Sequence, residues 1–400
     1  MPMHDAPVTV VENPGPLVLA ARWRTIFVAM TGVGALAFAL GLAVDPARAW
    51  NNYLIDYFMF LCFAVGGLFF TALHYAVNAS WVVVARRVSS GLAAYLPVAL
   101  VLLLGVFIGA GHIYPWAQGA VTTDPGKAHW LSASWMLPRD LLVLVIWIFF
   151  AWKIIFDFSI RQDSTGEVML TRKAINWSIV FMPVFAFSFT LISYDLIMSI
   201  EPHWFSTMFA VYTFAGLFQS TVALIMIIFL WMKRDDGPLA RVATASHVKD
   251  IGTLLFAFTI FMTYIGFSQY MLIWYANLPE ETFYFMKRQD GGWVWMFAML
   301  PIFKFAIPFF GLLSQSAKKN EKWLMTVCAL VLVGQFLDIY WMVVPALNRI
   351  IVGISWMEIG TFLGFAGLFG LSVSRFYSRY PVLAYRDPYI LESVNWRFWE

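Results

Sequence analysis

Charge is what this chain has least of. Only 12% of its 400 residues are Asp, Glu, Lys or Arg, against about 25% in an average soluble domain. Cysteine is nearly absent too: Cys62 and Cys328 both fall inside apolar runs, which excludes a thiolate-held cluster within this chain. No CxxCH segment is present to attach haem covalently. Histidine is scarce, and only His74 and His112 sit within or at the edge of apolar runs. Two bis-histidine haems, as in a transmembrane b-type cytochrome, would need more, at matching depths. Long hydrophilic stretches are missing as well. The longest loops on the side opposite the termini, Tyr114 to Pro138 and Ala276 to Gly291, are too short to fold as domains.

What is abundant is hydrophobicity, at 61% of the chain, with 38 Phe and 19 Trp. Ten apolar runs are long enough to cross roughly 30 Å of hydrocarbon as helices. They are expected near Trp23 to Val44, Tyr57 to Val84, Leu92 to Ile113, Arg139 to Phe158, Ile175 to Ile200, Phe205 to Met232, Ile251 to Tyr275, Gly292 to Leu313, Trp323 to Ala346 and Val352 to Phe376. The fold class is therefore an all-α integral membrane protein. The first run is too long for a signal-peptide core and no small-residue cleavage site follows it, so it is expected to remain as a span.

Ten spans return both termini to one side. The loops and termini of that side carry eighteen Lys and Arg and the opposite loops six, among them Arg48, Arg139, Lys287, Arg288 and Arg349. This bias predicts cytoplasmic termini. It also explains the net charge of +3, which gives no case for nucleic-acid binding.

A faint internal repeat runs through the spans. "DLIMSIEP" from Asp195 matches "DIYWMVVP" from Asp338 in its Asp-to-Pro spacing, "GLF" occurs at Gly67 and at Gly216, and Lys153 and Lys304 occupy spans four and eight. The matches pair spans two to five with spans six to nine, an even shift that keeps both repeats in the same orientation. Two four-helix bundles with spans one and ten peripheral is the architecture this predicts. Residues 1–22 are expected as a cytoplasmic segment, 23–376 as the membrane domain (repeat one about 57–200, repeat two about 205–346), and 377–400 as an aromatic cytoplasmic tail, docked on a partner or packed on the chain itself.

Polar groups inside the spans cost free energy unless the protein satisfies them. At about 1.5 Å per residue, Lys304 and Asp338 come within roughly 5 Å of the midplane. Gln335 lies one turn from Asp338. An ion pair and a proton-carrying role are the two readings. Span two presents Thr71, His74 and Asn78 as a polar stripe, and span four carries Lys153 above Asp157 and Arg161, an interfacial ladder for the latter two. Span five aligns Ser188 and Asp195 and leads into "EPHW", with Glu201 and His203. An imidazole and carboxylate cluster there suits proton exchange at neutral pH. Gln269 and Tyr270 add polar groups to the outer half of span seven. His74, Lys153, Lys304, Asp338, Asp195, Glu201 and His203 thus form a candidate ladder of titratable groups. A secondary transporter would also use polar stripes and repeats. Such folds break their helices near the midplane, whereas Gly and Pro here lie mostly near span ends.

Three segments carry a resemblance: "LHYAVNASWVVVARR" (Leu73 to Arg87), "SYDLIMSIEPHWFSTMFAVYTFAG" (Ser193 to Gly216) and "FSQYMLIWYANLPEETFYFMKR" (Phe267 to Arg288). With them the chain resembles the NrfD/PsrC-like polytopic subunits of alternative complex III, the bacterial quinol:cytochrome c/acceptor oxidoreductase. It is more similar to the shorter, ActF-like kind than to the ActC-like kind. The resemblance implies a subunit of a respiratory complex in the bacterial inner membrane, with no cofactor of its own and a proton path coupled to quinol oxidation. The implied partners are an ActC-like quinol-binding sister subunit, an iron–sulfur subunit, multihaem and monohaem cytochrome c subunits, and a terminal oxidase as a further candidate. Haem c and iron–sulfur clusters belong to those partners, and lipid surrounds the assembly. A quinone pocket in this chain is the rival reading within the family.

Overall fold

The computed structural model describes residues 8–119, 125–347 and 353–397. Arg349 and the expected start of the tenth span at Val352 lie outside them. Among the described residues ten helices are long and apolar enough to cross a membrane, so the chain is a multi-pass membrane protein. They are α1 (Ala21–Val44), α2 (Pro46–Ala76), α3 (Val83–Ile108), α4 (Ala133–Thr165), α5 (Val168–Ile200), α6 (Phe209–Lys233), α7 (Ala245–Ala276), α8 (Trp293–Gly311), α9 (Glu321–Ala346) and α10 (Trp356–Arg379).

The second and third helices begin earlier than hydropathy predicts, at Pro46 and Val83 instead of Tyr57 and Leu92. Asp45 caps α2 by accepting from the Arg48 amide, with Pro46 in the first turn. Arg48, Asn51 and Asn52, three polar residues of this stretch, find partners inside the protein. Arg48 Nε donates to Glu358 Oε1 of α10 at 2.6 Å, Asn52 Nδ2 donates to the same oxygen at 3.0 Å, and Asn51 Nδ2 donates to the Ala47 carbonyl.

α2 is buried without a break from Asn51 to Leu68 and packs on α5, α6, α9 and α10 as well as on its neighbour α3. α6 is the second central helix, against α7, α9, α5 and α2. α3 and α5 both pack on α4, and α7 and α9 both pack on α8. α1 lies along α10 at the edge. Lipid tails are as apolar as leucine, so helices in a bilayer gain from close backbone approach at small residues. Gly34 faces Gly364 so closely that a Cβ on Gly34 would overlap the Gly364 backbone, and Gly360 and Gly367 pack against Ala37 and Thr31.

α3 tightens to a 3-10 turn at Ala93–Tyr95, and two helices widen into π geometry away from their ends. Trp152–Ile160 of α4 and Ile302–Ala306 of α8 are π-helical, and each contains the lysine of its span, Lys153 or Lys304. In α8 the preceding Pro301 has no N–H to offer, which already breaks the regular ladder.

The tail packs on the chain itself. Arg86 donates to Asp387 at 2.5 Å, Tyr385 Oη donates to the Asp163 carbonyl, and Ser393 Oγ donates to the Trp81 carbonyl. The N-terminal segment joins it: the Val8 amide donates to Asn395 Oδ1 at 2.8 Å.

Candidate functional site

The buried charges of the second half assemble around Lys304. Its Nζ donates to Asp338 Oδ2 at 2.6 Å and to Gln335 Oε1 at 2.7 Å, and Tyr212 Oη of α6 donates to Asp338 Oδ1 at 2.5 Å. Lys304 is 4% exposed and Asp338 1%, so neither reaches bulk water in this arrangement. The π-turn leaves the Lys304 carbonyl to Gln219 Nε2, which donates to it at 2.8 Å and to Thr259 Oγ1 at 3.0 Å. Gly216 makes the room: a Cβ there would stand 3.0 Å from Gln335 Oε1 and 3.1 Å from Lys304 Nζ. The glycine of the second "GLF" is thus held by the ion pair.

Lys304 and Tyr212 line a cavity of about 240 Å³ between α6, α7 and α8, with Gln269, Tyr270, Tyr284 and Trp341 among its other walls. Along α7 the lining runs from Met262 to Tyr270, about 12 Å of helix rise. The polar groups Gln269 and Tyr270 in the outer half of α7 are explained by this cavity. Gln269 and Tyr270 face it, Gln269 Nε2 donates to Ser206 Oγ at 3.2 Å, and Trp274 and Tyr275 point away and are exposed.

A cationic cluster stands against Tyr284, one of the cavity walls. The Tyr284 ring stacks on Trp204 with centroids 3.8 Å apart, and the Arg288 guanidinium lies 3.5 Å from the same ring. Arg288 also donates to the carbonyls of Trp341 and Met342 within α9. Glu201 Oε1 accepts from Lys287 at 3.2 Å and stands 3.6 Å from Arg288 Nη1. Burial pushes the Tyr284 phenol up to about 12, and burial also pulls the Arg288 guanidinium below its ordinary value. The phenol is therefore neutral, and a hydrogen-bonding group, at physiological pH.

The other expected site residues are dispersed. Asp195 belongs to the first half, where both its oxygens accept from Arg139, at 2.5 and 2.7 Å. It is therefore separate from Glu201, whose cations are Lys287 and Arg288, while His203 is exposed at the turn. His74 is buried, with Nδ1 2.7 Å from the Phe70 carbonyl and its ring against Phe70 and Trp81. Thr71 bonds Ser89 at 2.8 Å. Asn78 lies past the end of α2 in a left-handed conformation, with φ 51°, and donates to Tyr389. Lys153 joins the ladder, 3.0 Å from Asp157 Oδ2 and 4.4 Å from the Trp152 ring centroid, and Arg161 binds the other Asp157 oxygen. Ser188 accepts from Trp147 Nε1 at 2.8 Å.

Several polar groups escaped the sequence reading. Tyr212 carried no signal beyond its type. Gln219 did: "QST" at mid-span in α6 is a run of three polar residues at membrane depth. Asp56 and Asp140 fell at or before expected span starts, and both are fully buried. No group of His, Cys, Asp and Glu able to hold a metal ion occurs among the described residues. No family model matches the chain, and no curated protein matches it significantly.

Proposed function

We propose that this chain is a haem-free membrane subunit of a respiratory quinol:electron-acceptor oxidoreductase, ActF-like in kind, and that it contributes a proton path. The observation that carries the reading is the Tyr212–Asp338–Lys304–Gln335 network at the base of the α6–α8 cavity. A carboxylate and an ammonium at membrane depth mark ion or proton pathways by default. Here a lysine also lines a cavity whose Tyr284 wall touches Arg288 of the Glu201, Lys287 and Arg288 cluster. Proton transfer between Lys304 and Asp338 would neutralise both at once, so a proton could pass without leaving a net charge in the hydrocarbon.

The same cavity favours one other reading, a quinone headgroup site in this chain. Its aromatic walls suit a planar ring, and Tyr212 and Lys304 would be donors for the carbonyl oxygens. The helix contacts and the shared π-turns at Lys153 and Lys304 support two four-helix bundles, α2–α5 and α6–α9, with α1 and α10 peripheral. Cytoplasmic termini and a bacterial inner membrane belong to the same proposal.

The test has two stages. Purification from native membranes through a tag on this chain should bring haem-bearing and iron–sulfur partners, whereas a transporter would come alone. In sealed vesicles, Asp338→Asn should leave an assembled complex that oxidises quinol with fewer protons moved per electron. An unchanged ratio would end the proton-path reading, and loss of quinol binding with the ratio intact would favour the headgroup site.

A further inference from the structure

The first half of the protein holds a second set of buried acids, away from the Lys304 network. Asp140 of α4 and Asp195 of α5 are both 0% exposed and their side chains lie within hydrogen-bonding reach of each other. Asp195 takes both its strong bonds from Arg139, whose guanidinium also rests 4.0 Å from the Trp130 ring and donates to the Trp130 carbonyl. Neither oxygen of Asp140 has a hydrogen-bond partner in the ionised form. Beyond the pair, the fully buried Tyr57 hydroxyl of α2 also lacks a partner, and it interacts electrostatically with Asp140, Tyr95 and Tyr114. Tyr114 is already engaged, donating to the Leu196 carbonyl at 3.0 Å. The Tyr95 hydroxyl and both Asp56 oxygens are likewise buried without partners, and Tyr95 interacts with Asp56.

Two carboxylates and one guanidinium leave a net negative charge in a dry site. Two ionised carboxylates have no proton between them with which to bond, and an unpartnered buried carboxylate is among the costliest groups a protein interior can hold. One added proton removes both problems. It makes an O–H···O⁻ bond between the acids and leaves a single anion to match Arg139.

We propose that Asp140 and Asp195 share one proton at neutral pH, with Asp140 as the acid and Asp195 as the carboxylate held by Arg139. The pair is a proton-storage site. Release gives Asp140 carboxylate and one proton to the water that reaches Arg139. Refilling takes one proton back from the same water. The storage site stands on its own geometry, whereas its use in transport rests on the proton-path reading above.

The test is infrared difference spectroscopy on the purified protein in lipid at neutral pH. Subtracting Asp140→Asn from the wild type should reveal a protonated-carboxyl C=O band. Subtracting Asp195→Asn should reveal the same band, because Asp140 then becomes the ionised partner of Arg139. Asp387→Asn, which removes a carboxylate paired with Arg86, should reveal none. Asp140→Glu keeps the acid and should shift the band, which keeps the test readable if the Asn variant fails to assemble. Absence of the band from the Asp140 and Asp195 differences, with no shift in Asp140→Glu, overturns the shared proton whatever the vesicles do. A band present alongside normal proton movement in Asp140→Asn vesicles upholds the storage site and removes it from the transport path.

Discussion

Lys304 and Asp338 meet across successive helices, 2.6 Å between Nζ and Oδ2, with Tyr212 on the second carboxylate oxygen. The two partners hold each other's charge in a place where neither could remain ionised alone. Asp338→Ala should therefore cost about 3 to 5 kcal/mol of stability, the penalty for stranding one member of a buried pair. The exchange Lys304→Asp with Asp338→Lys should recover part of that loss. Thermal unfolding of the two variants in the same detergent checks this, and an exchange variant no more stable than Asp338→Ala would show that the surrounding dipoles, from Gln335 and Tyr212, matter more than the pair.

Topology can be read with cysteine labelling on the present background, because Cys62 and Cys328 are both buried. A thiol at Glu280, exposed beyond α7, should react with an impermeant reagent from the periplasmic side. A thiol at Ser316, exposed before α9, should react only after permeabilisation. The reverse pattern would invert the orientation of every group described above.

The α1–α10 contact should be intolerant of bulk. Gly34→Leu forces a side chain into the Gly364 backbone and is expected to cost about 1 to 3 kcal/mol through overpacking. Gly32, two residues earlier and on the opposite side of the helix, has open space around its Cβ site, so Gly32→Ala should leave the melting temperature unchanged or slightly raised. Equal effects at the two positions would mean that α1 is not held by this crossing.

Alkaline stability should depend on Tyr284. Its folded value is raised from 10.0 to about 12 by burial, the largest cause, with Arg288 opposing. A raised value means that the folded state keeps its proton when the unfolded chain has lost it. The contribution is whole below the ordinary value and is lost as pH rises through the folded one. Melting temperatures measured between about pH 9 and 12 should therefore fall less steeply in Tyr284→Phe than in the wild type. Parallel curves would show that the phenol is free to ionise in the folded protein.

Hydropathy alone was enough for the ten spans, because a helix crossing a bilayer needs a long apolar run and little else. The placement of Lys304 and Asp338 inside successive spans was legible for the same reason, and Gln335 could be placed beside Asp338 by helical spacing. The tertiary structure decided which polar groups the protein could afford to bury. Arg48, Asn52 and Asp56 read as the edge of a loop, yet α2 continues through them because Glu358, some three hundred residues later, satisfies Arg48 and Asn52. Asp140 falls one residue inside the expected start of span four and drew no notice there, yet it is fully buried beside Asp195. Asp195 and Glu201 looked like one cluster from their spacing, and the helices give each its own cations, Arg139 for the first and Lys287 with Arg288 for the second. The free energy of a buried polar group is set by its partner, and partners separated by hundreds of residues in the chain meet only once the helices have packed.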